Sequence, residues 1–494
     1  MKRNVVLSLF VFTILCVGCN HNNDLGKFIS SDCPIELPEE LLTGGKFLYG
    51  YMEVPEYADN LNGNTIKLAI AIFKCRADSA THEPLVLCQG GPGSSNIDGF
   101  VPDLAGGLGN LFLNERDVVI IESRGLKYSK PYLGIRGLEE LQLSLLEKNL
   151  TSDETIDLYL DSIAAAYNRF EEQDIDLSAF NTLETSNEIA YVMEHLGYEK
   201  FSIFGTSYGT EVAQYLLMNH SDQLVSVVMN GIMDINLGGY HMHTSLISTL
   251  DSMFYMCEND PKYADSYTNL KANFLALIKR LNEKPDTIMA KNWVDGSTHK
   301  ILLTGSRLSV WLFNQMYANT QLPLTLQKLV DGDYSPIINN PGLIFPQPDF
   351  SMGLSLSVFL SETSDIKPEN IPIEGEYADL IKGTSTTMFG PYFWNKAKEV
   401  WKVNSVDANK SFVTDVPMLM LSGEMDYLCL PSYSKKLADK QKNAYLFIFE
   451  GVAHSPVDRG DCAIMMLKEF FDNPTKAPDN SCMQEFQSGF ILPE

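Results

Sequence analysis

The segment that most constrains this chain is an apolar run, Phe201 to Phe204, which ends in Gly-Thr-Ser-Tyr-Gly and is followed by a helix-like sequence, Glu211 to Asn219. The two glycines flank Ser207, and larger side chains would collide there on a sharp strand-to-helix turn. We therefore predict that Ser207 lies on a strained turn at the end of a buried strand. The pattern is short, and an ordinary tight turn in an α/β protein is the alternative.

The sequence before this turn supports the interpretation. Thr185-Ser-Asn-Glu188 has the form of a capping box, and apolar residues follow at the spacing of one helix face until Gly197. We predict an amphipathic helix that begins at Thr185. The resulting order of helix, strand, turn and helix is typical of an α/β unit.

Seven segments are predicted to be strands, and most are continuous apolar runs, as buried parallel strands are. They are Thr65 to Cys75, Pro84 to Gln89, Asp117 to Glu122, Phe201 to Phe204, Leu224 to Met229, Pro417 to Ser422 and Ala444 to Phe449. Between them, residues 235–409 contain helix-like segments such as Leu246 to Met256 and Leu270 to Leu281. We predict an α/β fold: one mostly parallel sheet with helices on both faces, formed by residues 45–234 and 410–494, with a large helical cap inserted at 235–409.

The amino terminus predicts export. Met1-Lys-Arg3 precedes an apolar run, Val5 to Val17, which is too short to span a membrane and typical of a signal peptide. The run ends in Leu15-Cys-Val-Gly-Cys19, which resembles a bacterial lipobox, although Cys16 stands where leucine is usual. We expect residues 1–18 to be a lipoprotein signal peptide, Cys19 to be acylated and residues 19–44 to be a tether in the bacterial cell envelope. Plain secretion is the alternative.

The charge of the chain argues against two classes of binding partner. With 494 residues and a net charge of −26, the chain offers no basic run to nucleic acid or to an anionic membrane surface. We expect contact with a membrane only through the lipid anchor. Apart from Cys16 and Cys19 in the amino-terminal segment, no C-x-x-C spacing occurs among the nine cysteines, and no H-E-x-x-H spacing occurs among the eight histidines. We therefore predict no metal site and no cofactor.

A serine hydroxyl is a poor nucleophile until a base takes its proton and a carboxylate orients that base. In chains with such a strand-to-helix turn the acid and then the histidine follow the serine. Asp426 ends the strand that begins at Pro417, and His454 follows the next strand. We predict that Ser207, Asp426 and His454 form a catalytic triad. Other acids compete for the role of Asp426, and they are Asp415, Asp439 and Asp458.

A glycine-rich loop, Gln89-Gly-Gly-Pro-Gly-Ser94, follows an early predicted strand. Glycines let backbone amides approach an oxygen that becomes negatively charged in the transition state. We predict that the N–H groups of Gly91 and Tyr208 form this oxyanion hole. A simple turn is one alternative, and a phosphate-binding loop is disfavoured because G-K-[ST] is missing.

Together these residues resemble the α/β-hydrolase peptidases of the prolyl iminopeptidase and tripeptidyl aminopeptidase group, from about Gly50 to the carboxyl end. The matching segments are Tyr51-Met-Glu-Val-Pro55 before the first strands, Gly90-Gly-Pro-Gly93, Ser123-Arg-Gly125, Ala179-Phe-Asn-Thr182, Gly205-Thr-Ser-Tyr-Gly-Thr210, Gly423-Glu-Met-Asp426 and Gly451-Val-Ala-His454. The form G-x-S-Y-G-T is typical of the tripeptidyl branch. The carboxyl-terminal region is also similar, and there the resemblance implies a disulfide between Cys462 and Cys482.

Several positions depart from the family pattern. Gln89 replaces the histidine of H-G-G-P-G, which argues against a strict prolyl iminopeptidase. Glu122 and Lys127 replace the Asp and second Gly of D-x-R-G-x-G, and Tyr427-Leu-Cys-Leu-Pro431 replaces D-P-x-T-P. The shape of the loop after Glu122 is therefore open.

The resemblance implies an exported serine aminopeptidase that releases residues or short peptides from free amino termini. Such an enzyme must bind an ammonium group in its cap, and Glu362 is a candidate because it resembles a cap motif of relatives; the alternative is a solvated acid at a helix end. An esterase or amidase could use the same triad on small acyl compounds, and a non-enzymatic binding protein is a further alternative. The sequence does not fix the oligomeric state.

Overall fold

The structure of the chain is a computed structural model. It describes residues 24–237, 242–316, 320–362, 374–406, 411–486 and 489–493. In these ranges the strands are β1 Ile29–Ser30, β2 Phe47–Pro55, β3 Thr65–Phe73, β4 Leu85–Cys88, β5 Val118–Glu122, β6 Phe201–Thr206, β7 Leu224–Asn230, β8 Asp286–Lys291, β9 Thr298–Leu303, β10 Met418–Gly423 and β11 Ala444–Phe449.

Helices surround these strands. They are α1 Glu39–Thr43, α2 Asn96–Ala105, α3 Gly109–Phe112, α4 Leu138–Leu145, α5 Ser152–Glu171, α6 Thr182–His195, α7 Tyr208–Asn219, α8 Met242–Asn259, α9 Leu270–Glu283, α10 Gly305–Gln315, α11 Leu322–Val330, α12 Ser335–Asn339, α13 Met352–Glu362, α14 Ala378–Thr384, α15 Pro391–Ala397, α16 Pro431–Ala438 and α17 Asp461–Asp472.

The main sheet has nine strands in the order β1-β2-β3-β5-β4-β6-β7-β10-β11. The pairs from β5 to β11 are parallel, and β1, β2 and β3 add an antiparallel edge. Because β4, β6, β7, β10 and β11 run in the same direction, their carboxyl ends meet at one edge of the sheet. Ligands of open α/β sheets bind at this edge.

Alternate residues of the strands enter two different hydrophobic cores, as the two-residue period of a strand requires. In β3, Ile70 and Ile72 belong to one core, whereas Ala71 and Phe73 belong to the other. The first core also contains α5, α6, α7 and the cap helices, and the second contains α2 and α17. Helices therefore cover both faces, and the predicted α/β architecture is confirmed.

The seven predicted strands are confirmed to within two residues at each end. The sequence did not predict β1, and the segment Tyr51 to Pro55 lies within β2 rather than before the first strands. The alternating burial of β2 explains the miss, because Gly50 and Glu53 interrupt the apolar pattern. The antiparallel hairpin β8–β9 within residues 235–409 was not predicted either.

The predicted start of the helix before Ser207 is wrong. Helix α6 begins at Thr182 and is capped by Asn181, whose side chain accepts a hydrogen bond from the Glu184 N–H at 2.9 Å. Thr185 and Glu188 are buried within the helix, and Glu188 binds Arg124 instead of a helix end. A tertiary ion pair thus uses the acid that the local pattern assigns to a capping box.

The cap is fastened to the core close to the glycine-rich loop. At the start of α13, Ser351 donates its backbone N–H to the Gly93 carbonyl at 2.9 Å and its hydroxyl to the Gly125 carbonyl at 2.7 Å. The Gly353 N–H donates to the Leu133 carbonyl at 2.9 Å. These three bonds fix the cap above the carboxyl edge of the sheet.

The carboxyl-terminal segment is tied to the core through α17. Cys462 in α17 and Cys482 form a disulfide with a Cα–Cα distance of 5.7 Å. Cys33, Cys75, Cys88, Cys257 and Cys429 are free thiols. The signal peptide and Cys19 lie outside the described residues, and among the described helices none is long and apolar enough to cross a membrane.

A buried carboxyl group makes stability depend on pH. Glu122 is fully buried at the end of β5, accepts a hydrogen bond from the Ile97 N–H at 3.0 Å, and has its pKa raised by burial from 4.5 to about 7. Because the folded-state pKa is the higher one, this group favours folding at low pH, and that contribution is lost as pH rises from about 4.5 to 7. Glutamine carries no charge at any pH, so its contribution does not change with pH. As pH rises over this window, we expect the free energy of unfolding of Glu122→Gln to increase by about 3 kcal/mol relative to that of the wild type.

Urea unfolding of both proteins at pH 4.5 and pH 7.5 measures this effect. A difference between the two proteins that stays constant over this pH range would contradict the prediction. Glu424→Gln is a suitable control, because Glu424 accepts one backbone N–H, from Gly451, at the same end of the sheet.

Candidate active site

Ser207 occupies the turn between β6 and α7 in a strained backbone conformation, with φ 53° and ψ −118°. The flanking glycines are required by close contacts. A Cβ at Gly205 would lie 2.2 Å from the Gly209 carbonyl oxygen, and a Cβ at Gly209 would lie 2.5 Å from the Cys88 carbonyl oxygen. The turn is held to the sheet by the Ser207 N–H, which donates to the Asn230 carbonyl at 2.9 Å. The sequence pattern therefore corresponds to the predicted strand–turn–helix geometry.

Asp426 and His454 are brought together after β10 and β11. The Nδ1 atom of His454 lies 2.8 Å from Asp426 Oδ2, and both side chains are buried. The other oxygen of Asp426 accepts the backbone N–H groups of Leu428 at 2.9 Å and Cys429 at 2.8 Å. Both carboxylate oxygens are thus occupied, which fixes the carboxylate and orients the imidazole.

The histidine also lies next to the serine turn. Thr206 precedes Ser207 and Ser455 follows His454. The hydroxyl groups of Thr206 and Ser455 form a hydrogen bond at 3.1 Å. A Cβ at Gly231 would lie 3.1 Å from His454 Cε1 and 3.6 Å from Asp426 Oδ2, so the chain after β7 passes against the pair. The competing acid Asp415 pairs instead with Lys442 at the surface, at 3.0 Å. The structure thus brings Asp426 and His454 together and places the segment that contains His454 against the turn that contains Ser207.

The glycine-rich loop after β4 passes directly over the serine. A Cβ at Gly90 would lie 2.9 Å from Ser207 Cβ, and Gly91 has φ 123°, a backbone conformation that favours glycine. Tyr208 is the first residue of α7, so its N–H is among those that have no acceptor within the helix. The two predicted oxyanion donors therefore lie on the two segments that border Ser207.

Two residues that depart from the family pattern, Lys127 and Tyr427, connect the core to the cap. Lys127 bridges Asp98 at 3.0 Å and Asp349 of the cap at 2.8 Å. Tyr427 is fully buried, and its hydroxyl donates to the Phe313 carbonyl in α10 at 2.7 Å. Such residues hold the cap on the core beside the triad, a role that sequence patterns alone did not predict.

Glu362, the predicted ammonium-binding candidate, lies at the edge of the site. It is half-buried, and its Oε1 accepts the Thr182 N–H at the start of α6 at 2.8 Å. The Thr182 hydroxyl in turn donates to the Tyr208 hydroxyl at 3.1 Å, and burial together with the charge of Glu362 raises the pKa of Tyr208 far above its ordinary value. The carboxylate is therefore built into the wall next to Tyr208 rather than simply solvated.

A cavity of about 540 Å³ lies between the core and the cap. Phe350 separates it from the glycine-rich loop, because a Cβ at Gly93 would lie 2.6 Å from the Phe350 ring. Its walls come from the segment that contains Tyr132 and α4, from α5, and from residues 386–389 of the cap. The volume is within the range of small-molecule and peptide-binding pockets.

Two groups of described side chains could approach a metal ion. One is Asp426, Cys429 and His454, which includes the hydrogen-bonded pair of the site, and the other is His82, Glu115 and Asp472. In the second group cations are already present, because Lys468 lies 3.6 Å from Glu115 and Arg116 lies 3.0 Å from Asp472. The absence of a metal and of a cofactor stays a prediction.

Comparison with known proteins finds solved structures that match this chain at low identity. An esterase from Exiguobacterium antarcticum is 11% identical with a TM-score of 0.36, over 83% of this chain and 97% of that one. An α/β hydrolase fold protein from Chitinophaga pinensis is 12% identical with a TM-score of 0.37, over 86% and 97%. A putative acyltransferase from Salmonella enterica is 12% identical with a TM-score of 0.37, over 90% and 99%. No curated protein matches the chain.

A family model gives the assignment. The α/β hydrolase fold model matches residues 83–461, which is well over half of the chain and includes Ser207, Asp426 and His454. The chain therefore belongs to the α/β-hydrolase fold family.

Proposed function

We propose that the protein is a serine hydrolase and, more specifically, an aminopeptidase. The observation that carries the first part is the buried hydrogen bond of 2.8 Å between His454 and Asp426, next to Ser207 on its strained turn. The specific part has its support in the sequence resemblance and in the position of Glu362 beside Tyr208.

The proposed reaction uses these groups in sequence. Ser207 Oγ attacks the substrate carbonyl while His454 takes its proton, and the N–H groups of Gly91 and Tyr208 bind the oxyanion. His454 then gives the proton to the leaving amine. Water, deprotonated by His454, hydrolyses the acyl-enzyme and frees the serine. Asp426 holds the imidazole in the tautomer that this sequence requires.

The test is hydrolysis of mono-, di- and tripeptidyl arylamides, each with a free or an acetylated amino end. We would use the chain from Asn20 onward, with Ser207→Ala as control. Turnover that needs both the serine and a free amine supports an aminopeptidase and gives the length of the released fragment. Turnover of acetylated substrates or of esters alone would instead assign an esterase or amidase, because the same triad serves both.

Glu362→Gln is expected to raise KM for substrates with a free amine by about ten- to a hundredfold, the loss expected for one charged hydrogen bond. Glutamine keeps an oxygen for the Thr182 N–H, so the start of α6 is retained. Acetylated substrates should be unaffected.

Glu399→Gln, an exposed acid of the cap, is the control for the Glu362 variant. An unchanged KM for free-amine substrates in Glu362→Gln would remove this role from Glu362.

Export and lipid attachment at Cys19 are a separate proposal, based on the amino-terminal sequence. Labelling of producing bacterial cells with a fatty acid analogue tests it. Loss of the label in Cys19→Ala, with release of the protein from the membrane fraction, would support the anchor. Equal labelling of Cys19→Ala would reject it.

A further inference from the structure

The cavity beside the glycine-rich loop contains two arginine side chains for which the proposed reaction gives no role. Arg136 and Arg169 both line it, the first exposed and the second half-buried. Among the described residues neither forms an ion pair with an acid. In a chain with a net charge of −26, two such guanidinium groups in one cavity depart from the overall charge.

The two positive charges act on each other. Burial lowers the pKa of Arg169, and the neighbouring charge of Arg136 lowers it further. Holding two like charges together weakens the fold unless an anion joins them. Arginine is also the side chain best suited to a carboxylate, because its planar donors bind both oxygens at once.

Other charges around the cavity are engaged differently. Arg307 is tied to the carbonyls of Lys148 and Leu302, so its guanidinium serves the fold. Asp349 pairs with Lys127 at 2.8 Å, and Glu139 accepts the Asp349 N–H at 3.3 Å. Glu140 is exposed. Arg136 is the charged neighbour whose effect on the pKa of Arg169 is resolved.

Two residues in the wall of this cavity have strained backbone conformations. Asp349 and Met388 have φ 59° and 65°, values that L-residues rarely adopt. They precede Phe350 and Phe389, which both line the cavity and whose rings contact each other with centroids 5.7 Å apart. Phe350 also lies against Gly93 of the glycine-rich loop. The cavity that contains the two arginines therefore borders the glycine-rich loop across the Phe350 ring.

We propose that this cavity is a substrate-binding subsite in which Arg136 and Arg169 bind a carboxylate of the substrate. The inference rests on the proposed function, since it concerns the substrate of Ser207. It assigns the protein to short acidic substrates: either oligopeptides whose free carboxyl terminus reaches the pair, or peptides with an Asp or Glu side chain at that position.

Binding to Ser207→Ala tests the subsite without any turnover. Calorimetry would compare three kinds of tetra- or pentapeptide with free amino ends. They are an apolar peptide acid, its carboxyl-terminal amide, and a series of that amide in which one glutamate replaces each residue in turn. We expect the acid or one glutamate peptide to bind about 10- to 100-fold more tightly than the apolar amide. Tighter binding of the acid identifies the terminal carboxylate, and tighter binding of a glutamate peptide identifies a side chain. Equal affinity for all of them would overturn the proposal.

The arginines are tested in the same background. Arg136→Gln together with Arg169→Gln should remove the preference for the carboxylate and leave the affinity for the apolar amide unchanged. Arg76→Gln, which removes an exposed arginine that binds Asn110 outside the cavity, should keep the preference. A preference that survives in the double variant would overturn the assignment of these two residues.

Two further measurements make the result independent of how well the variants fold. In Ser207→Ala alone, raising the salt from 50 to 500 mM should reduce the carboxylate preference several-fold, because the pair is open to solvent. A salt-independent preference would contradict binding by the arginines. Arylamide hydrolysis by the wild type reports separately on the proposed function: carboxylate-selective binding without peptidase activity would reject the aminopeptidase and keep the subsite.

Discussion

Replacing Asp426 with Asn is expected to lower kcat about 10⁴-fold while the protein stays folded. The amide oxygen of Asn can still accept the backbone N–H groups of Leu428 and Cys429, which now bind Asp426 Oδ1. The NH2 group then faces His454 Nδ1, which must become the acceptor. The ring proton moves to Nε2, and His454 can no longer take the proton of Ser207.

The matched control is Asp415→Asn, which makes the same charge change at an exposed acid just before β10. Rates with the best arylamide, labelling by a fluorophosphonate and thermal unfolding should be measured for both variants. We expect Asp415→Asn to react like the wild type. A kcat for Asp426→Asn within tenfold of the wild type would exclude Asp426 as the residue that orients His454.

Much of this site could be predicted because its parts follow strands. Ser207, Asp426 and His454 each come after a continuous apolar run, and parallel strands bring their carboxyl ends to one edge of the sheet. Chain order excludes Asp458, which follows His454, and the place of Asp426 just after β10 distinguishes it from Asp415 and Asp439. The structure adds the hydrogen bond to His454 and the surface ion pair of the competitor Asp415.

Contacts between segments far apart in the chain could not be predicted. Glu188 matches a capping box locally, yet it pairs with Arg124, and no local pattern records that partner. The hydrogen bond of Glu362 to Thr182 crosses from the cap to α6, and it depends on how α13 is placed over the core. The pair Arg136 and Arg169 comes from two separate segments that only the folded cavity brings together.

Strands that lack a continuous apolar run could not be predicted from the sequence either. Strand β2 was missed because its inward residues are interrupted by Gly50 and Glu53, and its antiparallel pairing with β3 supplies the stability that the sequence pattern lacks. The hairpin β8–β9 has five of its twelve strand residues exposed, with Met289 among them, so no apolar run marks it. Tertiary pairing decides such strands more than intrinsic propensity does.

Arg124 and Glu188 provide the second prediction with a large effect. Both side chains are buried, Arg124 Nε donates to Glu188 Oε2 at 2.8 Å, and the Arg124 N–H donates to Oε1 at 3.1 Å. The guanidinium also donates to the carbonyls of Glu56 and Ala179, each at 2.7 Å. The Arg124 side chain thus joins the loop after β5 to α6, to the end of β2 through Glu56, and to the turn before α6 through Ala179.

Arg124→Met is expected to lower the free energy of unfolding by about 3–5 kcal/mol near pH 7.5, because it leaves the Glu188 carboxylate buried without its opposite charge. Burial already raises the pKa of Glu188 to about 6, and loss of the arginine should raise it further. A raised folded-state pKa favours folding at low pH, so the variant should lose more stability than the wild type as pH rises above about 5. Adding Glu188→Gln to Arg124→Met should recover part of the loss, since glutamine carries no charge.

Urea unfolding at pH 5 and pH 8 of the wild type, both single variants and the double variant completes the cycle. Arg459→Met, an exposed arginine in the turn after His454, is the matched control for loss of a guanidinium. If the double variant were no more stable than Arg124→Met at pH 8, the unpaired carboxylate would not be the cause of the loss. The cost would then come from the carbonyl groups of Glu56 and Ala179, which lose their donor in both variants.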